Sequence, residues 1–254
     1  MDNLLRALLQ RFLNDMHVPR KRGQVYSLLD LGELAARLGS PVTFDRRGDV
    51  AWIDDFAGGV SNWDWPTNQG AGKAVLSCGY LSRDGKGSAL LCGGSQAGLE
   101  TQEVERSTPY PAVFPAPKAG LSVGLTCDAD AASFSLGLAA TLDANTAWSF
   151  ALRFRPSADS LELLDENGGW AVLASGLSGL ALPHWNHAKL VVNPAEGAYE
   201  RILFNEREID CRAYGGQAVG ASLPRRVRAS ISVTSQAGAN GFLWLDHAIL
   251  TYNE

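Results

Sequence analysis

A short stretch rich in aromatic and polar side chains is the strongest candidate for chemistry in this sequence. Trp63, Asp64 and Trp65 are consecutive, and Asn68 lies three residues beyond Trp65. Sugar rings have apolar faces that stack on exposed indoles, while their hydroxyl groups bond to Asp and Asn side chains. We therefore expect Trp63, Asp64, Trp65 and Asn68 to bind carbohydrate if the indoles are exposed. The alternative is that one or both tryptophans close the end of a hydrophobic core.

The acidic residues do not form the pattern that cleavage of a glycosidic bond needs. Two carboxyl groups must flank that bond, about 5 Å apart in a retaining enzyme. Glu103 and Glu105 share one side of an extended segment, as do Glu206 and Glu208. We interpret the first pair as a solvated strand face and the second as part of a hairpin turn. We expect no catalytic residues and no enzyme activity.

The remaining acidic and histidine clusters favour turns over catalytic or metal sites. Glu162, Asp165 and Glu166 fall where a strand runs into the Asn167-Gly168-Gly169 turn, so we expect all three carboxylates to be exposed. His184 and His187 have no third ligand nearby and are interpreted as turn residues. Residues 128–130 offer oxygen atoms to a calcium ion, but a turn is the simpler interpretation. We expect no cofactor and no metal ion.

Composition excludes several classes of protein. The 254 residues carry a net charge of -5, whereas nucleic-acid binding needs a basic face. No run of about 18 apolar residues is present, which argues against a membrane partner. Four cysteines lack any Cys-x-x-Cys pair, so we expect free, buried thiols. The first residues lack the pattern of a secretory signal, so we expect synthesis in the cytoplasm.

Residues 1–49 are predicted to form a helical N-terminal arm and linker. Apolar residues recur there at helical spacing, and a basic stretch with Pro19 follows them. Such a stripe needs a partner surface, which indicates docking on other subunits of an assembly. The arm has an apolar stripe and two basic side chains: Leu5, Leu8, Leu9, Phe12, Arg20 and Arg22.

Residues 50–254 are predicted to form an antiparallel jelly-roll β-sandwich. Short apolar or alternating runs recur, separated by Gly, Asn, Asp and Pro, with no helical segment between them. The eleven predicted strands are 50–53, 73–78, 88–92, 121–126, 148–154, 161–164, 170–174, 188–192, 199–204, 226–234 and 242–251. In one of them Arg153 and Arg155 are expected to share the outward face. Trp170 follows a Gly-Gly turn, and the sequence leaves open whether it belongs to the core or to a carbohydrate site.

Several segments resemble the concanavalin A-like lectin and glucanase jelly rolls, which include the laminin-G-like domains. The stretch from Trp185 to Asn193, followed by residues 197–205, is similar to the tryptophan-led strand and hairpin of these domains. Residues 54–56 and 241–246 are similar to their opening and closing strands. The resemblance implies the fold, and it implies no activity by itself.

Residues 46–56 resemble the corresponding region of phage structural proteins that carry a jelly roll. Particles that assemble in the cytoplasm and leave by lysis would explain a lectin-like domain without an export signal. We therefore expect a non-enzymatic structural or attachment protein of a virion, as a capsid-decoration or tail component. The alternatives are a carbohydrate-binding module or lectin and, third, a glycoside hydrolase of the same fold.

The arm generates the first testable prediction. Deletion of residues 1–22 should lower the mass measured by size-exclusion chromatography with light scattering, because the apolar stripe is expected to hold subunits together. An identical monomeric mass with and without these residues would remove the basis for an assembly arm.

Overall fold

The computed structural model describes residues 47–57, 59–64, 73–78, 88–94, 99–112, 117–177, 184–220 and 224–254. Regular structure in these ranges is β-strand, apart from one 3-10 turn over Pro156–Ala158. No helix within them has the length and apolar character needed to cross a bilayer. The strands are Asp49–Asp54 (β1), Lys73–Cys78 (β2), Ser88–Gly93 (β3), Glu100–Pro109 (β4), Ala119–Cys127 (β5), Ala131–Thr141 (β6), Ala147–Arg155 (β7), Ser160–Leu164 (β8), Trp170–Ser175 (β9), Asn186–Asn193 (β10), Ala198–Phe204 (β11), Arg207–Asp210 (β12), Gln217–Ala218 (β13), Arg226–Ser235 (β14) and Phe242–Tyr252 (β15).

The strands form two antiparallel sheets, which confirms the predicted β-sandwich. Sheet A has the order β12-β11-β10-β5-β15-β3-β2, and β1 also pairs with β15. Sheet B has the order β4-β14-β6-β7-β8-β9, with β13 beside β7. All eleven predicted strands are present, whereas β4, β6, β12 and β13 are not among the predicted ones.

The hydrophobic core lies between the two sheets because side chains alternate along each strand. Phe134 of β6 stacks on Phe154 of β7 with ring centroids 4.6 Å apart, and Phe154 reaches Phe204 of sheet A at 5.1 Å. The fully buried Tyr199 of β11 crosses the same interior, and its hydroxyl donates to the Leu164 carbonyl at 2.7 Å. These contacts fix the two sheets against each other.

The two sheets differ in their second face. Strand β14 alternates between buried and accessible residues, and β6 and β7 do the same over most of their length. In sheet A, by contrast, every residue of β5 and β10 is buried. Sheet A is therefore covered on both sides at its centre, whereas sheet B keeps one face accessible to a ligand.

Charged groups on the covered face of sheet A are paired. Lys189 of β10 is completely buried, and its ammonium lies 2.5 Å from Glu254 Oε1. The other oxygen of Glu254 accepts from Arg201 at 2.5 Å. Buried charges need such partners, since an unpaired one costs several kcal/mol, on the order of 3–5 kcal/mol when a partner is removed.

Trp63 closes one end of the core. Its side chain is 2 % exposed, and its ring lies edge-on to Trp52 at 5.5 Å and stacked on Phe56 at 5.8 Å. The indole N–H donates to Asp54 Oδ2 at 3.0 Å, and Arg106 also bonds to this oxygen at 3.3 Å. The alternative, that a tryptophan of this stretch closes the end of the core, is therefore confirmed for Trp63, which offers no exposed platform to a sugar.

This packing predicts a large loss of stability on truncation. Trp63→Ala should lower the free energy of unfolding in urea by about 3–5 kcal/mol, since it removes a buried aromatic side chain. Trp63→Phe keeps a ring but leaves Asp54 without the indole donor, and it should cost about 1–3 kcal/mol. The control Leu99→Ala, at a side chain that is 68 % exposed, should change stability by less than about 0.5 kcal/mol. A loss below about 1 kcal/mol in Trp63→Ala would contradict the burial described.

Candidate functional site

The accessible face of sheet B has a floor of short side chains. We call this surface the outer face of sheet B. Ser135 and Gly137 of β6 lie opposite Ser232 and Ser230 of β14, and Gly137 also lies opposite Ala151 of β7. A Cβ atom on Gly137 would come 2.4 Å from Ser230 Oγ, so the glycine leaves room for that hydroxyl. Such a floor allows a ligand to approach the sheet closely and offers it hydroxyl groups.

Carboxylates mark one margin of the outer face. Glu103 and Glu105 of β4 face Ser232 and its strand, and Glu105 forms a 3.3 Å salt bridge with Arg228. Asp64 forms a two-way backbone bridge with Glu105, with both N–O distances 2.7 Å. Directly opposed residues of an antiparallel pair point to the same side, so the exposed Asp64 belongs to this margin.

The Glu103 side chain is partly buried, and this burial affects its protonation. Burial raises the pKa of the Glu103 carboxyl above its usual value, and the charge of Glu105 adds to this effect. The Ser230 hydroxyl and the charge of Arg228 act in the opposite direction. The two glutamates therefore share one outer face, as the sequence predicts, but the Glu103 carboxyl is partly withdrawn from water.

An arginine, a glutamate and a tryptophan form the opposite margin. Arg153 of β7 lies opposite Glu162 of β8, and its Nε donates to Glu162 Oε2 at 2.8 Å. A second bond joins the Arg153 Nη2 to the same oxygen. The Arg153 guanidinium also lies 4.0 Å from the centre of the Trp170 ring, which is a cation–π distance. Trp170, which the sequence leaves open between core and site, thus lies at the outer face.

Glu162 is buried, which corrects the expectation that it is exposed. Its relative exposure is 3 %, because Arg153 and Arg155 cover the carboxylate and Ser160 donates to Oε1 at 3.2 Å. Burial alone would raise the pKa of the Glu162 carboxyl, but the hydrogen bonds and positive charges of these neighbours outweigh it and lower the pKa. Glu162 is therefore ionised at neutral pH and holds Arg153 in one position.

A cavity of about 390 Å³ opens at one end of the outer face, where Arg153 and Arg155 contribute to its lining. A smaller cavity of about 110 Å³ lies at the other end, beside Trp148 and Arg228. Outward residues of β6 and β7 contribute to the lining of both cavities. The expected sharing of this face by Arg153 and Arg155 is confirmed.

Two sets of predicted residues lie outside the described part of the chain. Trp65 and Asn68 of the predicted carbohydrate platform belong to the first set. All residues of the predicted assembly arm belong to the second: Leu5, Leu8, Leu9, Phe12, Arg20 and Arg22. Their roles, and the boundary between residues 1–49 and 50–254, stay predictions.

His184 and His187 lie in different environments. His187 is buried in β10, where its ring stacks on His247 at 5.8 Å, so its interpretation as a turn residue is wrong. The strand begins two residues earlier than predicted, at Asn186, and therefore includes His187. His184 is exposed before the strand. Within the described ranges, no group of three or more His, Cys, Asp or Glu side chains is placed to hold a metal ion.

The predicted hairpin turn and the predicted buried thiols are confirmed only in part. Asn205, with φ of 52°, and Glu206 form the turn between β11 and β12, while Glu208 lies on β12. No disulfide joins the four cysteines; Cys92, Cys127 and Cys211 are buried as expected, whereas Cys78 is partly exposed. Burial raises the pKa of the Cys127 and Cys211 thiols to about 12, so both stay protonated at neutral pH.

Comparison with solved structures identifies the fold. An endo-1,3-beta-glucanase from Streptomyces sioyaensis superposes with a TM-score of 0.53 at 11% identity, over 84% of this chain and 99% of the glucanase. The lectin UEA-II, solved with galactose, superposes with a TM-score of 0.51 at 9% identity, over 82% of this chain and 100% of the lectin. A sialidase gives a TM-score of 0.51 at 13% identity over 83% of this chain, which corresponds to only 19% of the sialidase.

Sequence comparison adds no family. No family model matches the chain, and neither does any curated protein sequence. At these low identities the structural likeness shows the fold alone, and proteins with this fold include both lectins and glycoside hydrolases. The chain has the concanavalin A-like jelly-roll fold that its sequence resembles.

Proposed function

We propose that this protein binds glycans through the outer face of sheet B. The observation that carries the proposal is the asymmetry of the sandwich, because the centre of sheet A is covered on both sides while sheet B keeps one face accessible. That face combines a floor of short hydroxyl-bearing side chains with charged margins. A flat, mostly polar ligand such as a saccharide chain fits this arrangement better than an apolar ligand does.

Each part of the outer face has a role in this proposal. Ser135 and Ser232 offer hydroxyl groups to sugar hydroxyls, and Asp64 at the acidic margin accepts hydrogen bonds from them. Arg153 donates from the opposite margin, and Trp170 provides an aromatic surface beside it. Glu162 is a positioning residue, since it fixes Arg153 before any ligand arrives and so lowers the entropic cost of binding.

We propose binding without catalysis, because the carboxylates lie at the margins. Glu103 and Glu162 are separated by the three strands β14, β6 and β7. Four strand spacings amount to about 19 Å, whereas a hydrolase pair needs about 5–9.5 Å. The outward residues of the described floor strands β14, β6 and β7 include no Asp or Glu.

A glycoside hydrolase is the second candidate, and Glu103 and Glu105 favour it. Their positions, two apart on one strand, put their Cα atoms about 7 Å apart. Burial raises the pKa of the Glu103 carboxyl, which is the direction that a general acid needs, and Glu105 lies beside it on the same face as a candidate partner. Release of reducing ends from any bound polysaccharide, abolished by Glu103→Gln but retained in Glu166→Gln, would establish this activity and overturn the non-enzymatic proposal.

The biological use of glycan binding is proposed from the sequence. An attachment or decoration protein of a phage virion would use such a face to hold a host-surface polysaccharide, with the N-terminal arm seated on neighbouring subunits. Recovery of the protein from purified particles would support this role, and a source without particles would remove it.

A side chain that blocks the floor of the outer face should weaken binding. Ser135→Tyr places a large ring in the middle of the outer face, and we expect it to weaken binding of any glycan identified on an array at least tenfold in isothermal titration calorimetry, or by about 1.4 kcal/mol. The matched control is Ala144→Tyr, at an exposed turn between β6 and β7, which should bind like the unchanged protein. Full affinity in a folded Ser135→Tyr protein, or no glycan bound by the unchanged protein, would contradict the proposal.

Removal of the Glu162 carboxylate should destabilise the protein in a pH-dependent way. At about pH 7, Glu162→Gln should lower the free energy of unfolding by about 1.5–3 kcal/mol, since charged hydrogen bonds to Arg153 are lost. Because the folded pKa lies below the usual 4.5, this contribution is complete above that value and disappears as the pH falls through the folded pKa. Urea unfolding at about pH 7 and about pH 3 measures the difference.

The control for this measurement is Glu166→Gln, at an exposed residue of the adjoining turn, which should have little effect at either pH. An equal loss of stability for Glu162→Gln at both pH values would show that the carboxylate charge does not hold Arg153.

A further inference from the structure

The larger cavity on the outer face of sheet B is basic. Its volume of about 390 Å³ lies within the range of roughly 300–1,000 Å³ that small ligands occupy. Its lining combines Arg153 and Arg155 of β7 with four other polar residues and two apolar residues, among them Ser133, Thr234, Gln236 and Leu99. The described residues that line it include no Asp or Glu.

The two arginines of this cavity are not equally neutralised. Arg153 makes two hydrogen bonds to Glu162 and is 25 % exposed. Arg155 reaches the other oxygen of Glu162 through one nitrogen at 3.5 Å, the outer limit of a hydrogen bond, and its side chain is 47 % exposed. One carboxylate faces two guanidinium groups, so this corner keeps a net positive charge that is centred on Arg155.

The surroundings of Arg155 define what kind of anion fits. Ser133 of β6 and Thr234 of β14 are directly opposed, and both contribute hydroxyl groups to the lining. Gln236 adds an amide, and Leu99, which is 68 % exposed, adds an apolar wall. A ligand that satisfies this lining carries a negative group, several hydroxyl groups and an apolar ring face, which together describe an acidic sugar.

We infer that the cavity binds the carboxylate of a uronic acid residue in an acidic polysaccharide, with Arg155 as its partner. This inference rests on the proposed glycan-binding function and names the substrate class of that site. The planar guanidinium of arginine matches a carboxylate in a two-bond geometry, and the half-exposed Arg155 has N–H groups left for it. Arg153, fixed by Glu162 and Trp170, forms the wall against which the sugar lies.

The experiment compares acidic glycans with neutral versions of the same chains. The probes are oligosaccharides of pectate, alginate and hyaluronan, each with its carboxyl-reduced counterpart, and a sulfated dextran oligosaccharide. We expect calorimetry to show at least one uronate probe binding tenfold or more tightly than its reduced counterpart, with an affinity that falls as salt increases. Arg155→Gln should remove this preference and leave binding of the reduced chain unchanged.

Two further variants separate charge from geometry and from general surface effects. Arg155→Lys keeps the charge but not the planar fork, and we expect it to retain only part of the preference. Arg212→Gln removes an arginine that is 71 % exposed and paired with Asp210, outside the cavity, and should retain all of it.

The outcomes distinguish this inference from the function on which it rests. If reduced glycans bind and uronates gain nothing, or if Arg155→Gln keeps the preference, the carboxylate assignment is overturned while glycan binding stands. Preference for the sulfated probe over every uronate also overturns the assignment, because the anion is then a sulfate. If neither the neutral nor the acidic probes bind, the proposed function itself fails.

Discussion

The alternation of inward and outward side chains along β14, and along most of β6 and β7, determines both the hydrophobic core and the accessible face of sheet B. Inward positions such as Leu136, Phe150 and Ile231 are completely buried and hold the two sheets together. Outward positions of the same strands carry serine, glycine, alanine, threonine and arginine and remain accessible. A shift of register by one residue would put the polar set into the core, so the pattern that stabilises the fold also fixes the position of the binding face.

Charge at the outer face is organised by burial of one carboxylate. Glu162 lies under two guanidinium groups, and its ionisation depends on them as their positions depend on it. Arg153 makes two hydrogen bonds to Glu162 whereas Arg155 makes one long one, so in the proposed site Arg153 is the fixed wall and Arg155 the available partner. The charged groups on sheet A have a different role, because Lys189 and Arg201 both form ion pairs with Glu254 on a covered face.

Much of the fold is predictable from local pattern, but the burial of individual polar and aromatic residues is not. The alternation around Arg153 and Arg155 is visible in sequence, and so are the turns that separate the strands. Strand β6 escapes prediction because its outward Ser, Gly and Ala residues have low β-propensity, although Phe134, Leu136 and Leu138 alternate with them. That alternation is the signal that could have found the floor of the site.

Trp63 and Glu162 show why the site itself could not be assigned from sequence. Pairing of β7 with β8 brings Arg153 to Glu162, whereas the loop after β1 folds Trp63 back onto Trp52 and Phe56. Neither contact is visible in the local pattern of residues. The most direct test of the assigned binding face is an NMR titration of the protein with a glycan that it binds. Shifts concentrated on the outward amides and side chains of β6, β7 and β14 are predicted, whereas shifts confined to sheet A would contradict the assignment of the binding face.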